Sequence, residues 1–130
     1  MTLLAAHLND AGLLFTDGER ILCREPGYVL LEDDGLITGR EAWGNASLHP
    51  RRINNTYWSG LTTEPLVDQR FKHLSAADLV TEQLEALWKR VAKPGDQLAI
   101  AVPAYMGNEN LGLLLGIAVE LDIPIVAMVD

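Results

Sequence analysis

Cysteine is nearly missing from this chain. Cys23 is the one thiol in 130 residues, so no internal disulfide can form. That composition fits a reducing, cytoplasmic compartment. Basic residues are also scarce, 10 against 18 acidic, for a formal net charge of -8. A field of that sign repels nucleic-acid phosphates and anionic membrane surfaces, so neither is expected as a partner. The clusters Arg51–Arg52 and Lys89–Arg90 are too short to reverse it and read as solvated surface. Long hydrophobic runs are absent as well. Glu120 and Asp122 break the apolar C-terminal stretch before it could span a bilayer. The apolar start lacks a basic lead and is soon interrupted by His7, Asn9 and Asp10, so it is no secretory signal. Without such a signal the Asn-x-Ser/Thr matches at Asn45 and Asn54 read as chance.

What is present is an ordinary globular balance, 48% hydrophobic and 22% charged, at a length that suits one domain. Leu3–Leu8 and Gly12–Thr16 are apolar runs separated by Asn9-Asp10-Ala11. Asp17-Gly18 and Asp33-Asp34-Gly35 supply further turns, because Asx-Gly pairs tolerate the positive φ that hairpins need. With Arg20–Arg24, Tyr28–Leu31 and Leu36–Thr38 as the remaining runs, the first forty residues predict an antiparallel meander.

A short helix is expected over Gly39–Ser47, with Ala42, Trp43 and Ala46 on one face. From His49 to Leu74 periodicity fails, which predicts a long irregular connection. Ser75-Ala76-Ala77-Asp78 resembles a capping box and opens a helix carrying Val80, Leu84, Leu87, Trp88 and Val91, stopped by Pro94-Gly95. Gln97–Val102 predicts a strand. Asn108 or Asn110 caps a second helix running to Leu121, apolar nearly all round and therefore expected to be buried. Ile123–Val129 is the last strand. A strand-helix-strand unit of this length implies parallel pairing through a right-handed crossover. The expected class is α/β, a mixed sheet with an antiparallel N-terminal meander and a C-terminal parallel unit.

Few residues stand out for chemistry. His7, His49 and His73 lack metal-ligand spacing, and no metal site is expected. Asp33-Asp34 lacks the further ligands of a Ca²⁺ loop. Ser59 lies in no nucleophile-elbow pattern. Cys23 reads as a buried strand residue. Trp43, Trp58 and Trp88 read as core or boundary residues, with Trp58 the one placed to face a partner.

Three segments resemble the superfamily that joins actin, the heat-shock chaperones and the sugar kinases. Val102-Pro103-Ala104-Tyr105-Met106, followed by Asn108 and a helix, is similar to the chaperone segment Val-Pro-Ala-Tyr-Phe. Arg24-Glu25-Pro26-Gly27-Tyr28-Val29, then Gly39-Arg40-Glu41-Ala42, resembles the Asn-Glu-Pro-Ser-Val-Val and Gly-x-Glu-Ala pattern of chaperones and bacterial actins. Leu8–Leu14 sits where the first phosphate loop belongs. The resemblance implies a ribonuclease H-like, actin-like fold over residues 1–130, forming an N-terminal subdomain of a longer protein. It implies ATP with Mg²⁺ as cofactor of that whole protein, held partly by the first hairpin, and none held by this chain alone. The implied partners are the missing C-terminal lobe and a protein partner or second copy.

The family's turn reads Asp-x-Gly-Thr/Ser, and this chain departs from it. Aligned on Gly12-Leu13, the Asp position falls on His7, the Gly position on Asn9, and Asp10 replaces the hydroxyl residue. The other register makes Asp10-Ala11-Gly12 the turn and puts Leu13 where the hydroxyl belongs. Asn9, Asp10, Ala11 and Gly12 are therefore the candidate, degenerate phosphate loop. The chaperones' catalytic Lys has no counterpart in Pro50–Leu61, and no catalytic residue is assigned. Pro103 is either a hinge, as the resemblance implies, or a strand terminator. Two function classes stay open: a nucleotide-dependent lobe, and a scaffold that kept the fold without phosphate chemistry.

Overall fold

The computed structural model describes residues 2–9 and 12–129. Strands β1 (Leu3–Asn9), β2 (Gly12–Thr16) and β3 (Ile21–Pro26) form the expected antiparallel run. Two later strands, β7 (Gln97–Ala101) and β8 (Ile125–Val129), extend the same sheet in parallel, giving the order β3-β2-β1-β7-β8. Buried Asp96 holds the seam where β1 and β7 begin, its carboxylate accepting from Thr2 N at 3.0 Å and Lys93 N at 2.9 Å.

The meander does not run through forty residues. It breaks at Pro26-Gly27, where Tyr28 N donates to the Pro26 carbonyl at 2.9 Å. Beyond that turn β4 (Val29–Glu32) and β5 (Gly35–Thr38) join β6 (Ile53–Asn54) in a separate three-stranded sheet. Proline offers no amide to continue a ladder, so the chain leaves the sheet there. The stretch from His49 to Leu74 is irregular apart from β6 and two 3₁₀ turns, Pro50–Arg52 and Gln69–Phe71.

Helix α1 is shorter than expected, Arg40–Gly44. Ala42 is buried, but Trp43 stands 61% exposed. Helix α2 (Ala76–Val91) begins with the full capping box: Ser75 N donates to Asp78 at 2.8 Å, and Ser75 Oγ accepts from Asp78 N. Leu79, Val80, Leu84 and Leu87 line its buried face. Helix α3 (Asn108–Glu120) crosses from β7 to β8. Its cap is Gly107, whose amide donates to the Asn110 side chain at 3.3 Å.

Strand register sorts the large sheet into two faces. Leu4, Ala6 and Leu8 lie level with Leu13, Phe15, Cys23, Leu98 and Ile100, all buried against the helices. The opposite face carries Leu3, Ala5, His7, Leu14, Arg24, Ala99, Ala101, Ala127 and Val129. Leu3 and Val129 there are more than half exposed. The helix α3 expectation is corrected at the same time. Only Leu114, Ile117 and Ala118 are buried, and Leu115 and Val119 face solvent. An apolar circumference buries a helix only where neighbours exist on every side, and α3 has them on one.

Candidate functional site

The candidate loop joins β1 to β2. Asn9 and Gly12 face each other across the hairpin, and Asp10 and Ala11 between them lie outside the described residues. Gly12 N donates to Asn9 Oδ1 at 3.1 Å. Gly12 has φ +143°, a conformation side chains rarely adopt. A Cβ there would overlap the Glu25 carbonyl oxygen and lie 2.8 Å from Pro26 Cα. Glycine is thus demanded by close contact with β3, whatever else it does. His7, the alternative Asp position, is exposed on the uncovered sheet face beside Leu14 and Ala101.

A cavity of ≈ 390 Å³ opens beside this turn. Asn9, Gly12, Arg24, Glu25, Arg40 and Trp43 contribute to its walls. Glu25 is its most constrained member. Only 8% exposed, it accepts from Arg90 Nη1 of α2 at 2.7 Å and from Arg40 N, at the start of α1, at 2.8 Å. Gly39 (φ +71°) leaves room for that carboxylate, since a Cβ would come within 2.8 Å of Glu25 Oε2. The pair with Glu25 pushes the Arg90 guanidinium above its ordinary value. Burial pushes the Cys23 thiol up, against a smaller opposing effect of Arg90, which makes it a poor thiolate.

Behind the cavity lies a polar node that sequence reasoning missed. Gln83 of α2 is fully buried. Its Oε1 accepts from Tyr57 Oη at 2.6 Å and from Trp58 Nε1 at 2.9 Å, and its Nε2 donates to the Pro26 carbonyl at 2.9 Å. Burial raises the Tyr57 phenol far beyond its usual range, so it stays a donor. Trp58, read as a core or boundary residue with a partner-facing place as the alternative, is 3% exposed and packs in the core. The cause is the node: its indole N–H finds an acceptor inside, so the ring can be buried whole. A glutamine on the apolar side of a helical pattern was the available signal.

The irregular stretch is fastened from α3 too, where Asn110 Nδ2 donates to the Leu61 carbonyl at 2.9 Å. Within Pro50–Leu61 the basic groups are Arg51 and Arg52, and Arg52 points to the Leu31 carbonyl and Asp33 at 3.4 and 3.5 Å. Pro103 follows the end of β7, and its carbonyl accepts from Met106 N at 3.1 Å. Among the described residues no cluster of His, Cys, Asp and Glu is suited to a metal ion, and no helix is long and apolar enough to cross a membrane.

No family model and no curated protein matches the sequence. Solved structures do match its fold. The crystal structure of MreB5 of Spiroplasma citri bound to ADP superposes with a TM-score of 0.69 at 15% identity, covering 98% of this chain and 37% of that one. The AMPPNP-bound form gives 0.68 at 15% identity, over 98% and 38%. The chain therefore has an actin-like ATPase fold, matching part of those structures. It spans somewhat over a third of the length of the structures it resembles.

Proposed function

We propose that this chain acts as the N-terminal lobe of an actin-like nucleotide-binding protein, and that by itself it neither grips nor hydrolyses ATP. The observation carrying the reading is the match over 98% of the chain to structures that hold ADP and AMPPNP, of which it spans 37–38%. The bare sheet face supports it. Parallel strands are ordinarily covered on both sides, and β1, β7 and β8 are covered on one. A further lobe is the natural cover.

The described residues do not fit a phosphate clamp. Such a turn works by aiming free amides at an anion, and Gly12 N–H is already taken by Asn9. The Glu25 carboxylate in the adjacent cavity is engaged by Arg90 and by Arg40 N, so those donors are turned to it and not to an anion. No Lys stands in Pro50–Leu61, where the chaperones carry theirs. These points equally favour the second reading, a scaffold that retains the fold without phosphate chemistry.

Calorimetric titration with Mg-ATP tests the proposal. The expected dissociation constant is weaker than about millimolar, which corresponds to about 4 kcal/mol. A micromolar constant lost in Asp10→Ala would overturn it and make Asp10-Ala11-Gly12 a working phosphate turn. Supplying a complementary C-terminal lobe separates the two readings: tight Mg-ATP binding by the reassembled pair favours the lobe, and none favours the scaffold.

A further inference from the structure

We propose that β8 is a pairing edge for a second copy of this chain, the two β8 strands running antiparallel about a two-fold axis and joining two five-stranded sheets into one of ten. Among the described residues no strand pairs with the outer side of β8. An edge strand presents unpaired amides and carbonyls, and natural edges are usually guarded by charge, proline or a bulge against other chains. Ile125–Val129 itself carries no charge and no proline. Pro124 lies just before it, and the register shift with β7 leaves Val126 as the extra residue between Ile125 and Ala127, so the regular edge is Ala127–Val129. Val126 is 52% exposed and Val129 57%.

The helix layer supplies the reason for choosing a second copy as occupant. A crossover helix lies over the gap between the strands it joins, half a strand spacing from β8. The two-fold axis lies another half spacing beyond. With strands about 4.8 Å apart, α3 and its mate would run antiparallel at about 10 Å. That is the ordinary distance between packed helices. In a right-handed crossover the flank of α3 holding Leu111 and Leu115 lies on the β8 side. Leu115 and Val119 are the exposed apolar residues of that helix. The same operation thus pairs the edge and covers the apolar flank. An isologous contact of this kind closes at two copies.

Sedimentation velocity across micromolar to millimolar concentration is the test. The expected result is a reversible monomer–dimer equilibrium, ending at twice 14.3 kDa. Added salt should strengthen it, because it screens repulsion between two chains of net charge -8. Val126→Lys puts like charges near the axis and should weaken association at least about tenfold, or about 1.4 kcal/mol. Its side chain is exposed, so the monomer's melting midpoint should not move. Leu115→Glu, on the helix, should weaken association independently. A strict monomer at all concentrations, a dimer indifferent to both variants, or open-ended growth would each overturn the proposal.

Discussion

Helices α2 and α3 are built from opposite sequence logics, and only one of them behaves as its pattern suggests. Helix α2 alternates apolar and charged residues, and of the side named from its pattern Val80, Leu84 and Leu87 are buried and Trp88 and Val91 half-buried, with Leu79 buried beside them. Helix α3 has hardly a charge between Glu109 and Glu120, yet three residues are buried and Val119 is 74% exposed. An apolar pattern reports what a surface tolerates being packed against. Whether the packing partner is present is a separate fact. The same contrast divides the large sheet, one face holding Phe15, Leu98 and Ile100 in the core and the other showing Leu3, Ala127 and Val129 to solvent, with Ala5, Ala99 and Ala101 half-buried.

The largest effect should come from placing one charge on each side of α3. Leu114 is fully buried. Leu114→Asp confines an unpaired carboxylate in an apolar interior, costing several kcal/mol, comparable with the whole stability of a small domain. Circular dichroism should show an unfolded or barely folded chain. Leu115→Asp, one position along, should leave the monomer's melting midpoint within a few degrees. Equal damage from both would mean that α3 is enclosed on both sides and would end the contrast.

The next effect is expected at Gln83. Gln83→Leu keeps about the same volume but strands three groups: the Tyr57 hydroxyl, the Trp58 indole N–H and the Pro26 carbonyl. Tyr28 N still reaches that carbonyl, so the main loss is two buried donors. At about 1–3 kcal/mol for each unmatched buried group, denaturant unfolding should show a loss of about 2–6 kcal/mol. Loss of less than about 1 kcal/mol would mean that water reaches both rings.

Local signals made much of the fold legible. Asx-Gly pairs marked the hairpins, Ser75 and Asp78 marked the start of α2, and the β-rich runs around α3 marked the parallel unit. What escaped was set by distant partners. The division into two sheets depends on β4 finding β6 across an irregular stretch, in a register of two residues. The burial of Trp58 depends on a glutamine 25 positions away. The candidate loop was located in sequence at residues 9–12. That Gly12 is held by contact with β3, and its amide by Asn9, became visible only in three dimensions. The role of Glu25 was equally hidden, because Arg40 and Arg90 converge on it from separate helices.

The smallest effect concerns how the two helices begin. Helix α2 has both halves of a capping box, with the Ser75 hydroxyl accepting from Asp78 N and the Asp78 carboxylate accepting from Ser75 N. Helix α3 has one half. Asn110 reaches back to Gly107 N, but glycine has no side chain to return the bond. The backbone of Gly107 is already in the extended region that a capping residue adopts, φ -81° and ψ 177°. A Cβ there would meet its nearest atom, Asn110 Oδ1, at 3.8 Å, an ordinary contact. Gly107→Ser should therefore complete the box without strain. Serine exceeds glycine at this position by a few tenths of a kcal/mol. The reduced freedom of the unfolded chain adds a contribution of about 0.4–1 kcal/mol. Thermal unfolding should show a rise of a few degrees in the midpoint. The mirror change, Ser75→Ala, should cost about 1 kcal/mol by removing the cap from α2. A fall in the midpoint for Gly107→Ser would show that the turn after Pro103 needs glycine for a reason other than capping.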